Sequence, residues 1–139
     1  MSLDPLLSAP WVIQVLAFGA IAGFVVALIQ FAAPKGTLPH KSIGLLWMAI
    51  LLTVAVSSIF IRPAFYPGLP FMQWFSWIHL FTLLTFWALI QGSFFLLRGG
   101  PNLKKHSKSF TGLFIGGLLI AGGFAFLPGR IMYRILFGG

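Results

Sequence analysis

Residues 11–33 read WVIQVLAFGAIAGFVVALIQFAA and contain no Asp, Glu, Lys or Arg. Three later stretches, 43–61, 71–97 and 110–127, share this absence of charge. A helix needs about 20 apolar residues to cross the hydrocarbon core of a bilayer, and these stretches are close to that length. Because lipid offers no hydrogen bonds to an open backbone, the sequence predicts an all-α membrane protein, a bundle of four transmembrane helices.

The composition of the 139 residues predicts no separate soluble domain. Hydrophobic residues make up 59% of the chain and charged residues only 7%, so we expect one integral membrane domain over residues 1–139. Asp4 is the only charged side chain before the first apolar stretch, which continues well beyond the small residues at 20–22. Both features argue against a cleaved signal peptide. The chain has no cysteine, which excludes disulfides and thiolate ligands.

Basic residues are distributed unequally between the two ends of the predicted bundle. Six lie in the connections between spans one and two and between spans three and four: Lys35, Lys41, Arg98, Lys104, Lys105 and Lys108. Three lie at the opposite end: Arg62, Arg130 and Arg134. Cytoplasmic loops of membrane proteins are enriched in Lys and Arg. We therefore expect both basic connections in the cytoplasm and both termini on the outer side.

Aromatic residues cluster near the predicted membrane boundaries. Those near the outer boundary are Trp11, Tyr66, Trp74, Trp77 and Tyr133, and Trp47 falls near the inner one. Amphipathic rings favour the headgroup region. All six are therefore expected to be interfacial anchors.

The two halves of the chain resemble one another. The motif ALIQ occurs at 27–30 and again at 88–91, and a basic connection with one histidine follows each copy. Gly44 aligns with Gly112, and Arg62 aligns with Arg130 at the same offset. This pattern predicts two pseudo-repeated helical hairpins, with chance similarity in an apolar chain as the alternative. Two glycines four residues apart occur as Gly19-x-x-x-Gly23 and again at 112 and 116, and this spacing predicts close contacts between helices.

Four short motifs occur in an order that resembles a known family. They are GTLPHKSIG (36–44), WIHL (77–80), KKH (104–106) and LPGR (127–130). Together they are similar to a family of bacterial predicted membrane proteins, the domain of unknown function 2306. The resemblance implies a small multi-helix protein of the bacterial inner membrane and carries over no activity. The positions that fit the family pattern are His40, His79, His106 and Arg130.

His79 is the most informative polar residue, because ionisable groups inside a membrane span are rare and usually face the bundle interior. Residues at comparable depth or at the outer end of the spans are Gln14, Ser57, Ser58, Thr82, Arg62 and Arg130. These residues are candidates for one outer polar cluster or ligand site. The alternative is a neutral histidine that joins helices through a hydrogen bond. His40, in the first basic connection, is a separate candidate.

The chemistry of the remaining residues limits the functions open to the chain. Bis-histidine haem needs two imidazoles at one depth, whereas His40 and His106 lie at the end opposite to His79. Zinc would lack Cys, a placed carboxylate and a close His pair, so we expect no metal site. Asp4 is the only carboxylate side chain, and no serine has a nearby base, which makes hydrolytic catalysis a poor candidate.

The excess of positive charge predicts a lipid-binding patch. Nine cations face one acid, so at most one can pair with a side-chain carboxylate. The cluster before the fourth span should bind anionic headgroups, and it consists of Arg98, Lys104, Lys105, His106 and Lys108. Nucleic acid is not expected as a partner, because the cations flank membrane spans and no platform for bases is present.

These observations favour a non-enzymatic integral membrane protein, an accessory or assembly subunit of a larger membrane complex, with a membrane protein or a second copy as its partner. The alternative is a protein that binds a redox group, a quinone, haem or a small anion through the outer His and Arg residues. No specific cofactor is indicated by any motif.

Overall fold

The computed structural model describes residues 2–62, 66–76 and 78–138, in which every regular element is helical. The α-helices are α1 (Asp4–Leu7), α2 (Trp11–Ala32), α3 (Leu38–Ile59), α4 (Ile78–Arg98), α5 (Leu103–Leu113), α6 (Ala121–Ala125) and α7 (Ile131–Phe137). A π-helical segment, Phe114–Ile120, joins α5 to α6, and we refer to residues 103–125 as the fourth long helix. Short 3₁₀ turns occupy Phe71–Gln73 and Gly100–Asn102.

The four long helices form an antiparallel bundle. Each is long and apolar enough to cross a membrane, which confirms the all-α, multi-pass membrane fold. Helix α2 packs on α3, α3 on α4, and α4 on α5, while the π-helical segment contacts both α4 and α2. The ring of contacts is therefore closed.

The two ends of the bundle differ in composition. One end contains the turns at 33–37 and 99–102, and we call it the basic end. At the opposite end, the terminal end, α1 packs against α7, and the backbone N–H of Ser2 donates to the carbonyl of Ile135 at 3.3 Å. A small apolar cluster that includes Leu6, Ile13 and Ile135 fixes this contact. The region following Arg62, with Ala64 in it, and Trp77 lie outside the described residues.

Three of the helices begin at different residues from those that the apolar stretches indicate. Helix α3 begins at Leu38 rather than 43, because the Thr37 hydroxyl caps it by accepting from the backbone N–H of His40 at 3.4 Å. Helix α4 begins at Ile78 rather than 71, and α5 begins at Leu103 rather than 110. The lysines at 41, 104, 105 and 108 are consequently helical, and the basic end consists mostly of helix ends.

Trp47 is part of the core, which corrects its interpretation as a boundary anchor. Its side chain is only 3% exposed, and its indole N–H donates to the carbonyl of Gly23 at 2.9 Å. The ring lies against Phe110 with ring centroids 5.7 Å apart. The buried cluster around it draws residues from all four long helices: Ala27, Leu51, Ala88, Leu89, Phe110, Leu113 and Leu118. An indole this deep needs small residues opposite, and Ala27 supplies one at 0% exposure.

Close backbone approach occurs at three of the four glycines in the two paired motifs. A Cβ on Gly19 would lie 2.6 Å from Cγ2 of Val54, and one on Gly23 would contact α3 at 3.4 Å. On the fourth long helix, Gly116 faces Leu84 at 3.1 Å, whereas a Cβ on Gly112 would meet nothing within 4 Å. The predicted glycine contact therefore occurs along α2 but at only one member of the second motif.

The repeated ALIQ motif occupies corresponding places in the two hairpins. Ala27 and Ala88 are both buried in the core. Three residues further on, Gln30 and Gln91 each contact a polar side chain of the following helix near the basic end. The correspondence does not extend to the glycines, because Gly44 lies against the Gln30 amide while Gly112 has open space.

Candidate functional site

Three polar side chains lie between α3 and α4 at the terminal end. Ser58, His79 and Thr82 are all buried, and the Ser58 and Thr82 hydroxyls are in hydrogen-bond contact across the two helices. The Ser58 hydroxyl donates to the carbonyl of Ala55 at 2.7 Å. The Thr82 hydroxyl likewise lies 3.4 Å from a carbonyl of its own helix, that of Ile78, so each hydroxyl has both a backbone acceptor and the other hydroxyl within reach. Ser57 is also buried, but its hydroxyl bonds within α3, to the carbonyl of Val54 at 2.9 Å.

His79 joins the ends of two helices. Its Nδ1 accepts from the backbone N–H of Ser76 at 3.0 Å, in the manner of a capping box, in which a first-turn side chain reaches back to an N–H three residues earlier. With Nδ1 acting as acceptor, the ring hydrogen is assigned to Nε2. Nε2 lies 3.4 Å from the carbonyl of Ile59, at the end of α3. Both ring nitrogens thus serve backbone groups that helix ends leave without partners.

The other candidates for the outer cluster lie apart from this group. The Gln14 amide donates to the carbonyls of Leu7 and Ala9 at 3.0 and 2.9 Å, so it ties α2 to the end of α1. The Arg62 guanidinium donates to the carbonyl of Phe75 at 3.0 Å. Arg130 is exposed and precedes α7. No described hydrogen bond joins Arg62, Arg130 or Gln14 to His79.

A second polar group lies at the basic end of the first hairpin. The Gln30 Nε2 is 3.2 Å from His40 Nδ1, and a Cβ on Gly44 would approach the same Nε2 to 2.8 Å. Glycine at this position leaves the amide the room that it needs. The Gln30 Oε1 is buried and has no hydrogen-bond partner among the described residues. His40 is therefore held by α2, as a link within the hairpin.

The second hairpin has a comparable arrangement. His106 Nδ1 lies 2.9 Å from the carbonyl of Gly92, to which it donates, and its ring lies against Phe110 with centroids 4.7 Å apart. Ser109 donates to Gln91 at 3.1 Å. His106 consequently faces α4, unlike the four cations grouped with it in the sequence.

Those four cations are exposed at the basic end. The Arg98 guanidinium lies over the Phe94 ring at 4.3 Å, and the Lys105 ammonium lies near the Phe95 ring at 5.5 Å. Lys104 and Lys108 lie on the exposed side of α5. Since the only acidic side chain, Asp4, lies in α1 at the terminal end, these cations have no carboxylate side chain of their own chain nearby.

The arrangement bears on metal and cofactor binding. Within residues 2–62, 66–76 and 78–138, no three or more His, Asp or Glu side chains come together in a way that could hold a metal ion. Both nitrogens of His79 already have backbone partners. A ligand of this imidazole would have to displace one of the two hydrogen bonds that hold the α3 and α4 ends together.

Sequence patterns do not single out Gln30 or Trp87 as functional residues. Gln30 lies in the repeated ALIQ motif, and that repetition was the one available signal for it. Trp87 is a mid-span tryptophan that is 63% exposed, and hydropathy alone does not reveal which side of a helix faces outward.

Comparison with models of protein families, with curated proteins and with solved structures gives no match. The geometry described above is therefore the basis for any functional interpretation.

Two substitutions at position 79 separate a structural role from a ligand-binding role. His79→Gln keeps an acceptor for the Ser76 N–H, since Gln is a favoured residue at this capping position, and should lower the unfolding free energy by about 1 kcal/mol or less. His79→Leu leaves the helix ends unpaired and should cost about 1–3 kcal/mol. Reversible unfolding in detergent measures both. Equal losses for the two variants would contradict the capping role.

Proposed function

We propose that this chain is a non-enzymatic, multi-pass membrane protein that acts as an accessory or assembly subunit of a larger membrane complex. The buried polar residues Ser58, His79 and Thr82 all have partners within the bundle. The one carboxylate side chain, on Asp4, accepts from the Ser2 hydroxyl at 2.5 Å. His79 and Asp4, which could take part in acid–base chemistry, therefore have structural partners. The function is then expected to reside in the outer surface of the bundle.

The exposed face of α4 carries the proposal. Trp87 lies in the middle of α4 and is 63% exposed, although tryptophan favours the headgroup region. Its indole N–H has no acceptor among the described residues, and hydrocarbon offers none. Leu80, Leu83 and Leu84 precede it at helical spacing, are all exposed and line a shallow apolar depression with it. We call these four residues the α4 docking face.

A second transmembrane helix fits the chemistry of the α4 docking face. A backbone carbonyl or a Ser or Thr hydroxyl of that helix would accept from the Trp87 N–H, and large aromatic residues contribute disproportionately to protein interfaces. The partner is a membrane protein of another sequence or a second copy of this chain. Haem, a quinone or a small anion remains the alternative, and it would act at His79 with the terminal-end arginines.

The location of the protein is also a proposal. The excess of Lys and Arg at the basic end supports a cytoplasmic placement of that end, with both termini outside. The ordered motifs that resemble the domain of unknown function 2306 support a bacterial inner membrane. Membership of that family stays a prediction.

Trp87→Leu tests the α4 docking face. The protein should be isolated in mild detergent and analysed by native mass spectrometry, with Trp11→Leu as the control, because Trp11 is similarly exposed at 72% but lies at the terminal end. We expect a defined complex or homo-oligomer in the parent and in Trp11→Leu, and at least a tenfold lower yield of it in Trp87→Leu. A monomer in all three, or equal yields, would contradict the proposal. A Soret band or an extractable quinone that is lost in His79→Leu would favour the alternative.

Single cysteines test the orientation, since the chain has none of its own. Ser107→Cys lies at the basic end and Ser8→Cys at the terminal end. In intact cells or spheroplasts, a membrane-impermeant maleimide should label position 8 and should label position 107 only after lysis. The reverse pattern would place the basic end outside.

A further inference from the structure

An apolar groove runs along the outside of the bundle between α3 and α4. It has a volume of about 450 Å³, and its walls include Met48 and Leu52 on α3 and Phe86, Leu89, Phe94 and Leu97 on α4. The two helices are tied together at the terminal end by the Ser58 and Thr82 hydroxyls. The groove lies on the other side of that contact, in the half of the bundle nearer the basic end.

Cations stand on both helices at the basic end of this groove. Lys41 precedes Met48 by seven residues and Leu52 by eleven, so helical periodicity places it on the same side of α3 as these two wall residues. Arg98 follows Leu97 directly and lies over the ring of Phe94, another wall residue. Counted along the helices from the Ser58–Thr82 contact, Lys41 and Arg98 are nearly equally far away. Both are exposed.

One polar side chain lines the groove below these cations. Ser93 is half-buried there, and its hydroxyl has no hydrogen-bond partner in the part of the chain that the structure describes. It lies five residues before Arg98, which corresponds to about 7.5 Å along a helix axis. The groove thus contains one hydroxyl and a long apolar surface, and two cations stand just beyond its lining toward the basic end.

This sequence of groups matches the parts of one anionic phospholipid molecule, and we infer that the α3–α4 groove is a specific binding site for it. The phosphate binds Lys41 and Arg98, whose guanidinium suits phosphate oxygens. The Ser93 hydroxyl donates to an ester carbonyl of the glycerol unit, and an acyl chain lies along the apolar walls. Charge complementarity selects an anionic headgroup, because no carboxylate side chain of this chain competes for either cation.

The site differs from the charged patch predicted from the sequence. A diffuse patch attracts anionic lipid through every nearby cation alike. Lys41 and Arg98 stand on the two helices that form the groove, whereas Lys104 and Lys108 belong to α5, which contributes no residue to its walls. The groove adjoins the depression of the α4 docking face, because Phe86 and Ile90 line both. Lys41 and Arg98 lie nearer the basic end than any residue of that face, so the lipid headgroup and the proposed partner contact different residues.

Binding of defined lipids to the purified, delipidated protein tests the inference. Native mass spectrometry should show dioleoyl phosphatidylglycerol retained at least tenfold more strongly than dioleoyl phosphatidylcholine. The double variant Lys41→Gln/Arg98→Gln should lose most of this preference. Its control, Lys104→Gln/Lys108→Gln, removes the same charge at the same end and should keep it. Ser93→Phe, which fills the groove and retains all cations, should also lose it.

Three outcomes decide against the site. Equal retention of the two lipids, or equal losses in the two double variants, would mean that the basic end attracts lipid only as a diffuse patch. Inorganic phosphate at millimolar concentration should not raise the melting temperature as phosphatidylglycerol does. An equal rise with phosphate would show that the apolar groove has no part in binding and would overturn the inference.

Discussion

The indole of Trp47 connects the four long helices, and much of the bundle depends on its depth. Its N–H donates to the carbonyl of Gly23, and the fully buried Ala27 belongs to the same cluster. A side chain at Gly23 would meet Leu51, a member of the same cluster, at 3.4 Å. The contact also fixes the α2–α3 register that brings Gln30 to His40. Burial of one large ring thus sets the relative positions of polar groups nearer the ends.

The second constraint is the scarcity of acidic side chains. With one acidic side chain in the chain, buried donors must find neutral acceptors, and backbone carbonyls are the main supply. His79, His106 and Gln14 all contact main-chain carbonyls. An unsatisfied polar group in a low-dielectric interior is costly, so these contacts stabilise the folded bundle by giving each side-chain donor an acceptor. Arg62 also donates to a main-chain carbonyl, that of Phe75, whereas the lysines and Arg98 at the basic end are exposed toward headgroups and solvent.

Hydropathy predicts the number of spans and their order, because a long charge-free stretch is unfavourable in water and, in lipid, must form a helix to pair its backbone groups. It does not predict where α3 begins, since the capped first turn from Thr37 onward is polar and resembles a loop. The preference of tryptophan for interfaces gave the wrong place for Trp47, because the acceptor of its indole N–H, the carbonyl of Gly23 on α2, comes within reach only once α2 and α3 are paired. Depth along the helices suggested one cluster, and the structure joins Ser58 to Thr82 while His79 bonds to the backbone of Ser76 and Ile59. Depth does not specify direction around a helix, and Gln14 bonds to the end of α1 instead.

The buried His79 engages the backbone through both ring nitrogens, which leaves neither nitrogen for a ligand. Nitrogen NMR of histidine-labelled protein in detergent tests this directly, with the His79 signals assigned by their loss in His79→Gln. The account predicts one neutral tautomer with an unprotonated Nδ1 and a hydrogen on Nε2, unchanged when haem or a quinone is added. A hydrogen on Nδ1, or ring signals that shift or vanish on addition of either molecule, would contradict it.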